Sequence, residues 1–338
     1  MVVLSIDIGL GTADYLLYEE GVNPENFIKL ILPSPTKLFS KKISNFNGVL
    51  TVGGYTIGGG FINKSLKRYL STNNVILSKD AAKTVSDDLS EVINEGFKVV
   101  EDIVNPDIFL KEIDLEIIDF IEKMCGSKID KVLVAAQDHG FEKGKSDRVV
   151  RIEFLKKFLK DGLLKAKFEK TVVIPNSFSR WNSLKKQLLD IAIFDFAISD
   201  TSVVASLGAA FDAKSFPCVT VDVGNGHTFI ALIDKGYKIS AFIEHHTSML
   251  SKEKILSYIA DLCLYKIKHE DIFNDGGHGA HIYYKIDEID IQDIPIYVTG
   301  PRRKELFDNY NERVNFVSPF GDVMITGNVG LLMQQSLV

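Results

Sequence analysis

The chain has 338 residues, 46% of them hydrophobic and 25% charged, with a formal net charge of −6. That length corresponds to about two domains, and the composition is that of an ordinary water-soluble protein. The acidic balance gives no reason to expect nucleic acid as a partner, no apolar run reaches the roughly 18 residues of a membrane span, and three separated cysteines point away from a disulfide framework, so a cytoplasmic protein with no nucleic-acid or membrane partner is expected.

Val2–Ile8 reads as an apolar strand that runs into Asp7-Ile8-Gly9-Leu10-Gly11-Thr12, and residues 15–18 form a second apolar strand. Strand, Asp-x-Gly-x-Gly, Thr and strand together describe a tight hairpin with a bare turn. Glycine lets backbone N–H groups approach an anion, and nested N–H groups suit phosphate oxygens. An aspartate at the mouth of such a turn can hold a hydrated divalent cation against the phosphates. Residues 27–32 complete a meander, which Pro33-Ser34-Pro35 breaks. Residues 49–60 contain Gly53-Gly54 and Gly58-Gly59-Gly60. They are either a loosely turned hairpin or a third backbone-rich loop near a cleft.

Residues 80–104 and 110–124 carry apolar positions three and four apart, which predicts helices. Lys131–Ala136 is a short buried strand ending in Gln137-Asp138-His139-Gly140. Residues 151–164 predict an amphipathic helix, and the mixed charges of 153–167 read as a solvated face. Residues 171–174 predict a strand ended by Pro175, 183–189 a helix, and 191–198 an apolar segment. A second unit begins near Phe216. There, residues 218–223, 228–234 and 238–243 repeat the opening meander, and Asp222-Val223-Gly224-Asn225-Gly226-His227-Thr228 repeats the glycine loop. A helix over 252–265 follows. Neither loop fits the Walker or the Rossmann pattern. A duplicated phosphate hairpin implies two similar halves facing one nucleotide.

With these motifs the chain resembles the actin, Hsp70 and sugar-kinase superfamily. Asp7 to Thr12 is similar to its first phosphate motif and Asp222 to Thr228 to the second. The stretches 199–210 and 321–332 are similar to the two connecting helices, and Ile296-Tyr297-Val298-Thr299-Gly300-Pro301 to the adenosine motif. The resemblance implies an α/β fold of two ribonuclease-H-like lobes, the actin-like ATPase fold, around an interlobe nucleotide cleft. The first lobe would span 1–215 with a helical insertion, and the second 216–338. It implies ATP and Mg²⁺, the ion held through water by Asp7 and Asp222. Gly9, Gly11 and Thr12 would contact phosphates from one lobe, and Gly224, Asn225, Gly226 and Thr228 from the other. His227 departs from the common pattern; it would donate to a phosphate, replace a cation or point out of the hairpin. Gly300 would lie under adenine or ribose, with Arg302 or Arg303 beside the base. Asp200 would orient or deprotonate the attacking group, or act as an N-cap. Asp138 and His139 are further candidates for a general base.

Leu32-Pro33-Ser34-Pro35-Thr36, Ala136-Gln137-Asp138-His139-Gly140, Glu244-His245-His246-Thr247 and Asp275-Gly276-Gly277-His278-Gly279-Ala280 resemble more closely a largely archaeal family labelled pyruvate formate-lyase activating enzyme-related. A glycyl-radical activase needs an iron–sulfur cluster on closely spaced cysteines. Cys125, Cys218 and Cys263 are far apart, so that activity is not expected. Six of the seven histidines lie in the second unit. Glu244, His245, His246, His278 and His281 are candidate ligands for Zn²⁺ or Fe²⁺, or else polar loop residues that bond one another and a substrate. Some superfamily members that make carbamoylated products carry a His-bound metal in this cleft. The expected function is a Mg-ATP-dependent ATPase or phosphotransferase acting on a small-molecule or protein acceptor. The alternatives are a nucleotide-gated protein-binding module and an acyl or carbamoyl transferase with a His-bound metal.

Overall fold

The computed structural model describes residues 1–193, 195–287, 291–307 and 313–338. Val2–Ile8 (β1) is apolar along most of its length, as a strand covered on both faces must be. It pairs antiparallel with Thr12–Glu19 (β2), which pairs antiparallel with Ile28–Pro33 (β3). The chain then builds a separate parallel sheet from Leu50–Gly54 (β4), Val75–Ser78 (β5), Lys98–Val100 (β6) and Ile108–Leu110 (β7), in the order β6-β5-β4-β7. Lys131–Ala136 (β8) returns to the first sheet parallel to β1. It is followed by the edge strand Lys167–Glu169 (β9) and by Phe196–Ser199 (β10), parallel to β8.

The remaining strands repeat this plan. Cys218–Val223 (β11), His227–Asp234 (β12) and Lys238–His246 (β13) form the meander, Gly279–Ile282 (β14) extends it, and Ile296–Thr299 (β15) and Val314–Phe316 (β16) add parallel to β11. The orders β3-β2-β1-β8-β10 and β13-β12-β11-β15-β16 are the same in sequence and direction. The protein therefore has two ribonuclease-H-like lobes, the actin-like ATPase fold.

Helices Thr201–Ala209 and Thr326–Gln334 cross between the two sheets and are buried along almost their whole length. Only glycine permits this crossing. A Cβ on Gly208 would fall on the Thr326 carbonyl oxygen, and one on Gly330 on that of Val204. Asn328 ties the second helix to the first lobe by donating to the Ser5 and Asp14 carbonyls at 2.9 and 2.8 Å. One apolar core runs through the crossing, from Val3 and Leu133 in one sheet to Phe229 and Phe242 in the other.

Several expected elements differ. The insertion is α/β rather than helical. Residues 80–104 hold only the short helices Lys79–Ala82 and Leu89–Asn94 before β6. Asp88 caps the second one, and Gly96, at φ 103°, terminates it. Residues 49–60 are a strand, a glycine loop and the start of helix Gly60–Leu70, not a hairpin. The helix expected over 110–124 is Leu115–Cys125, capped by Asp114, and the one over 151–164 is Asp147–Phe158, capped by Ser146. Residues 171–174 are not a strand; Val173 is 83% exposed, and the sheet edge is β9. In the apolar segment 191–198, Phe194 lies outside the described residues. Among the described residues no helix is long and apolar enough to cross a membrane.

Candidate functional site

The two glycine loops close with the same bond. The Gly9 N–H donates to the Thr12 carbonyl at 2.9 Å, and the Gly224 N–H to the His227 carbonyl at 3.0 Å. His227 thus takes the place of Thr12 and does not interrupt the motif. Thr228, expected at the phosphates, is fully buried against Thr247 Oγ1 at 3.0 Å and does not line the cleft. The loops meet: a Cβ on Gly11 would come within 2.5 Å of Asn225 Nδ2. Gly9, Gly11, Thr12, Gly224, Asn225, Gly226 and His227 line one cavity of about 950 Å³. Its far wall includes residues 56–60, so the glycine loop of the insertion does face the cleft.

Asp7, Asp14 and Asp222 line the same cavity. A Cβ on Gly327 would fall on the Asp7 carboxylate, so this glycine makes room for it. Burial raises the Asp7 carboxyl well above its usual range, and the charges of Asp14 and Asp222 add to the effect. Burial pushes Asp14 up to about 7, and burial together with Asp200 pushes Asp222 up to about 7. Asp7 Oδ1 and Asp14 Oδ1 are buried without a hydrogen-bond partner. Crowded carboxylates with bare buried oxygens fit a divalent cation, which would relieve their mutual repulsion.

The charged centre beneath the loops was not foreseen. Arg151 is fully buried and all its donors are used. It grips Asp200 with Nη1 and Nη2 at 2.6 and 3.0 Å, and Glu244 with Nε and Nη2 at 3.0 and 2.8 Å. Its Nη1 also donates to the Asp138 carbonyl at 3.1 Å. Position 151 lies four residues before buried Leu155 and between Val150 and Ile152, so it belongs to the core-facing stripe of its helix rather than to a solvated face. That spacing was the available signal. Asp200 also caps the Thr201–Ala209 helix through the Ser202 N–H at 3.0 Å. It is fully buried, and the N-cap bond is the role its geometry shows. Burial pushes Glu244 up, but Arg151 and then His278 outweigh it and hold the carboxyl well below its usual range.

Asp138 and His139 both line the cavity. Asp138 accepts from the Gly140 and Trp181 N–H groups at 2.9 and 3.1 Å, and burial still pushes it up to about 6. Beside it Arg180 is held by Glu112, the shortest contact 2.5 Å, and donates to the Gln137 carbonyl at 2.7 Å. Gly300 lies at φ 92° against Asp222 and lines the cavity. Arg302 does not line it. It pairs with Glu305 at 2.6 Å beside a smaller cavity of about 380 Å³.

The five candidate ligands of the second lobe do not all meet: Glu244, His246 and His278 lie together, while His245 and His281 turn to other partners. His245 bonds Asp275 at 3.1 Å, and His281 packs edge-on to Tyr283 with ring centres 4.5 Å apart. Glu244 accepts from Arg151 and also lies 2.7 Å from His278 Nδ1. His278 also lies with His139 and His227, one ring nitrogen of each within 4.8 Å of the others. His246 stacks beside this trio, 4.7 Å from the His227 ring centre. The cysteines are all free. Cys125 ends a first-lobe helix, while Cys218 and Cys263 are buried in different cores.

No curated protein matches the chain. Solved structures similar to it include the ethanolamine utilization protein EutJ from Carboxydothermus hydrogenoformans, at 12% identity and a TM-score of 0.37, covering 98% of this chain and 89% of that one. Another is an exopolyphosphatase-like protein at 10% identity and a TM-score of 0.22, covering 82% of this chain and 61% of that one. Residues 57–305, from the glycine loop of the insertion through the histidine trio to just beyond Gly300, match the family described as putative pyruvate format-lyase activating enzyme (DUF1786), and the chain belongs to that family.

Proposed function

We propose that the cleft binds a nucleoside triphosphate, ATP in the first instance, with Mg²⁺, and that the protein hydrolyses it or transfers its terminal phosphoryl group to a small-molecule or protein acceptor. Two like glycine loops that meet across one cavity, each with its own aspartate, support this reading most directly. The volume of about 950 Å³ is within the range of ligand sites. Asp7 and Asp222 would hold the ion through water. When bound, Mg²⁺ supplies neutralisation of phosphate charge.

The chain's own groups would do the rest. Backbone N–H groups of residues 9–12 and 224–227 cradle phosphate oxygens from opposite sides. Asp138, largely ionised at pH 7 with its carboxyl at about 6, accepts the proton of an acceptor hydroxyl or orients a water. Its two backbone bonds fix its aim. Arg151 links the first-lobe Asp200 to the second-lobe Glu244 and holds the lobes in register beneath the loops. The family's description names a radical activase. Three distant free cysteines do not fit the cluster that such chemistry needs, and we propose no radical step.

The test is thermal stabilisation by ATP, ADP and GTP with and without Mg²⁺, followed by phosphate release. A ligand that binds only the native state stabilises it by RT ln(1 + [L]/Kd). A Mg²⁺-dependent shift with ATP is expected. No shift with any nucleotide would remove the proposal.

A further inference from the structure

We propose that His139, His227 and His278 form a binding site for a transition-metal ion, Zn²⁺ or Fe²⁺, in the wall of the cleft beside the second glycine loop. The three imidazoles come from separate places in the chain: the loop after β8, the first residue of β12 and the loop before β14. One nitrogen of each lies within 4.8 Å of the others. Nitrogens around a tetrahedral Zn²⁺ lie roughly 3.4 Å apart, given bonds of about 2.0–2.1 Å, so modest ring rotations bring the trio onto one ion.

Two independent details aim these rings. His278 Nδ1 lies 2.7 Å from Glu244 Oε2. A Glu244 carboxylate accepting from Nδ1–H leaves Nε2 as the ring nitrogen to face an ion. A carboxylate bonded to the far nitrogen is the usual outer support of a metal-bound histidine. Here that carboxylate is itself fixed by Arg151, which Asp200 holds. Second, His227 Nε2 is buried with no hydrogen-bond partner. A buried polar atom left bare is costly, and a metal bond would satisfy it.

Three imidazole ligands suit Zn²⁺ or Fe²⁺ rather than Mg²⁺. Two of them, His139 and His227, line the cavity, so the fourth position opens into the cleft and would take a water or an anionic oxygen of a substrate. The site stands apart from the nucleotide reading and is tested without nucleotide.

Full-length protein is stripped with a chelator, freed of it, and titrated with Co²⁺ and then Zn²⁺ alone. The expected result is one ion per chain, a visible Co²⁺ spectrum of tetrahedral type, and displacement of Co²⁺ by Zn²⁺. Single changes His139→Ala, His227→Ala and His278→Ala should each weaken binding by at least about 100-fold, more than the 10–100-fold typical of an outer-support change. His281→Ala, whose ring packs on Tyr283 outside the trio, should leave it unchanged. Circular dichroism checks each fold, and the loop variant His139→Gln keeps the test open if another variant does not fold. Absence of saturable uptake at micromolar metal would overturn the site, as would equal uptake by parent and all folded trio variants. Mg²⁺·ATP stabilisation of the stripped protein reads the nucleotide proposal separately.

Discussion

Asp222→Asn should make the ligand-free protein more stable at pH 8 while abolishing its response to Mg²⁺·ATP. The Asp222 carboxyl is pushed from 3.8 up to about 7, chiefly by burial and then by Asp200. The native state therefore holds this proton more tightly than the unfolded chain does, and its contribution to stability is present below about pH 4 and lost as the pH rises through about 7. At 1.36 kcal/mol per pH unit, a rise of about three units costs up to about 4 kcal/mol once the group is ionised. Asp222 is only partly buried at the cleft, so water screens some of this, and a gain of about 1–3 kcal/mol is expected for the neutral amide. That corresponds to roughly 2–4 °C of Tm per kcal/mol in a large domain. The assay is calorimetry of parent and variant from pH 5 to pH 8, with and without Mg²⁺ and ATP. The difference in Tm should be smallest at pH 5, grow up to about pH 7 and level off by pH 8, and the Mg²⁺-dependent shift should disappear in the variant. Equal destabilisation at both pH values, or a retained Mg²⁺·ATP shift, would refute the reasoning.

Arg151→Met should cost about 3–5 kcal/mol, because it leaves Asp200 and Glu244 buried without their counter-charge. Arg151→Lys should recover little of this, since an ammonium cannot bridge two carboxylates as the planar fork does; urea unfolding reads both. Gly208→Ala should destabilise by at least about 1–3 kcal/mol, as overpacking does, because its methyl would fall on the Thr326 carbonyl; a smaller loss would mean that the helix crossing can spread. Asp138→Asn should lower phosphate release or transfer by about 10²–10⁴-fold and remove the limb of the pH–rate profile near pH 6, while nucleotide-induced stabilisation persists.

The two glycine loops were legible in the sequence because their signal is local. Asp, two glycines and flanking apolar strands occupy about a dozen consecutive residues, and the second copy repeats them in β11 and β12 with the same turn bond. Strand order followed from that repeat. The insertion was misread for an equally local reason: short helices and short strands share apolar spacings, and only the ladder of β4 to β7 separates them. Thr228 was misjudged by one position, because in a strand a single step turns a side chain to the other face.

The rest was decided by tertiary structure. Arg151 meets Asp200 49 residues away and Glu244 93 residues away, and no periodicity in the chain encodes that pairing. The histidines were noticed as a group, but the sequence joined neighbours such as His245 and His246. In a strand consecutive side chains point to opposite faces, so His245 turned into the core toward Asp275, and His139 arrived from the other lobe. Glycine spacing and apolar strands determined the fold and the loops of the cleft. Which charges are buried, which are spent on one another and which remain bare toward a ligand was set only when the two lobes closed, because burial and pairing are properties of the packed molecule.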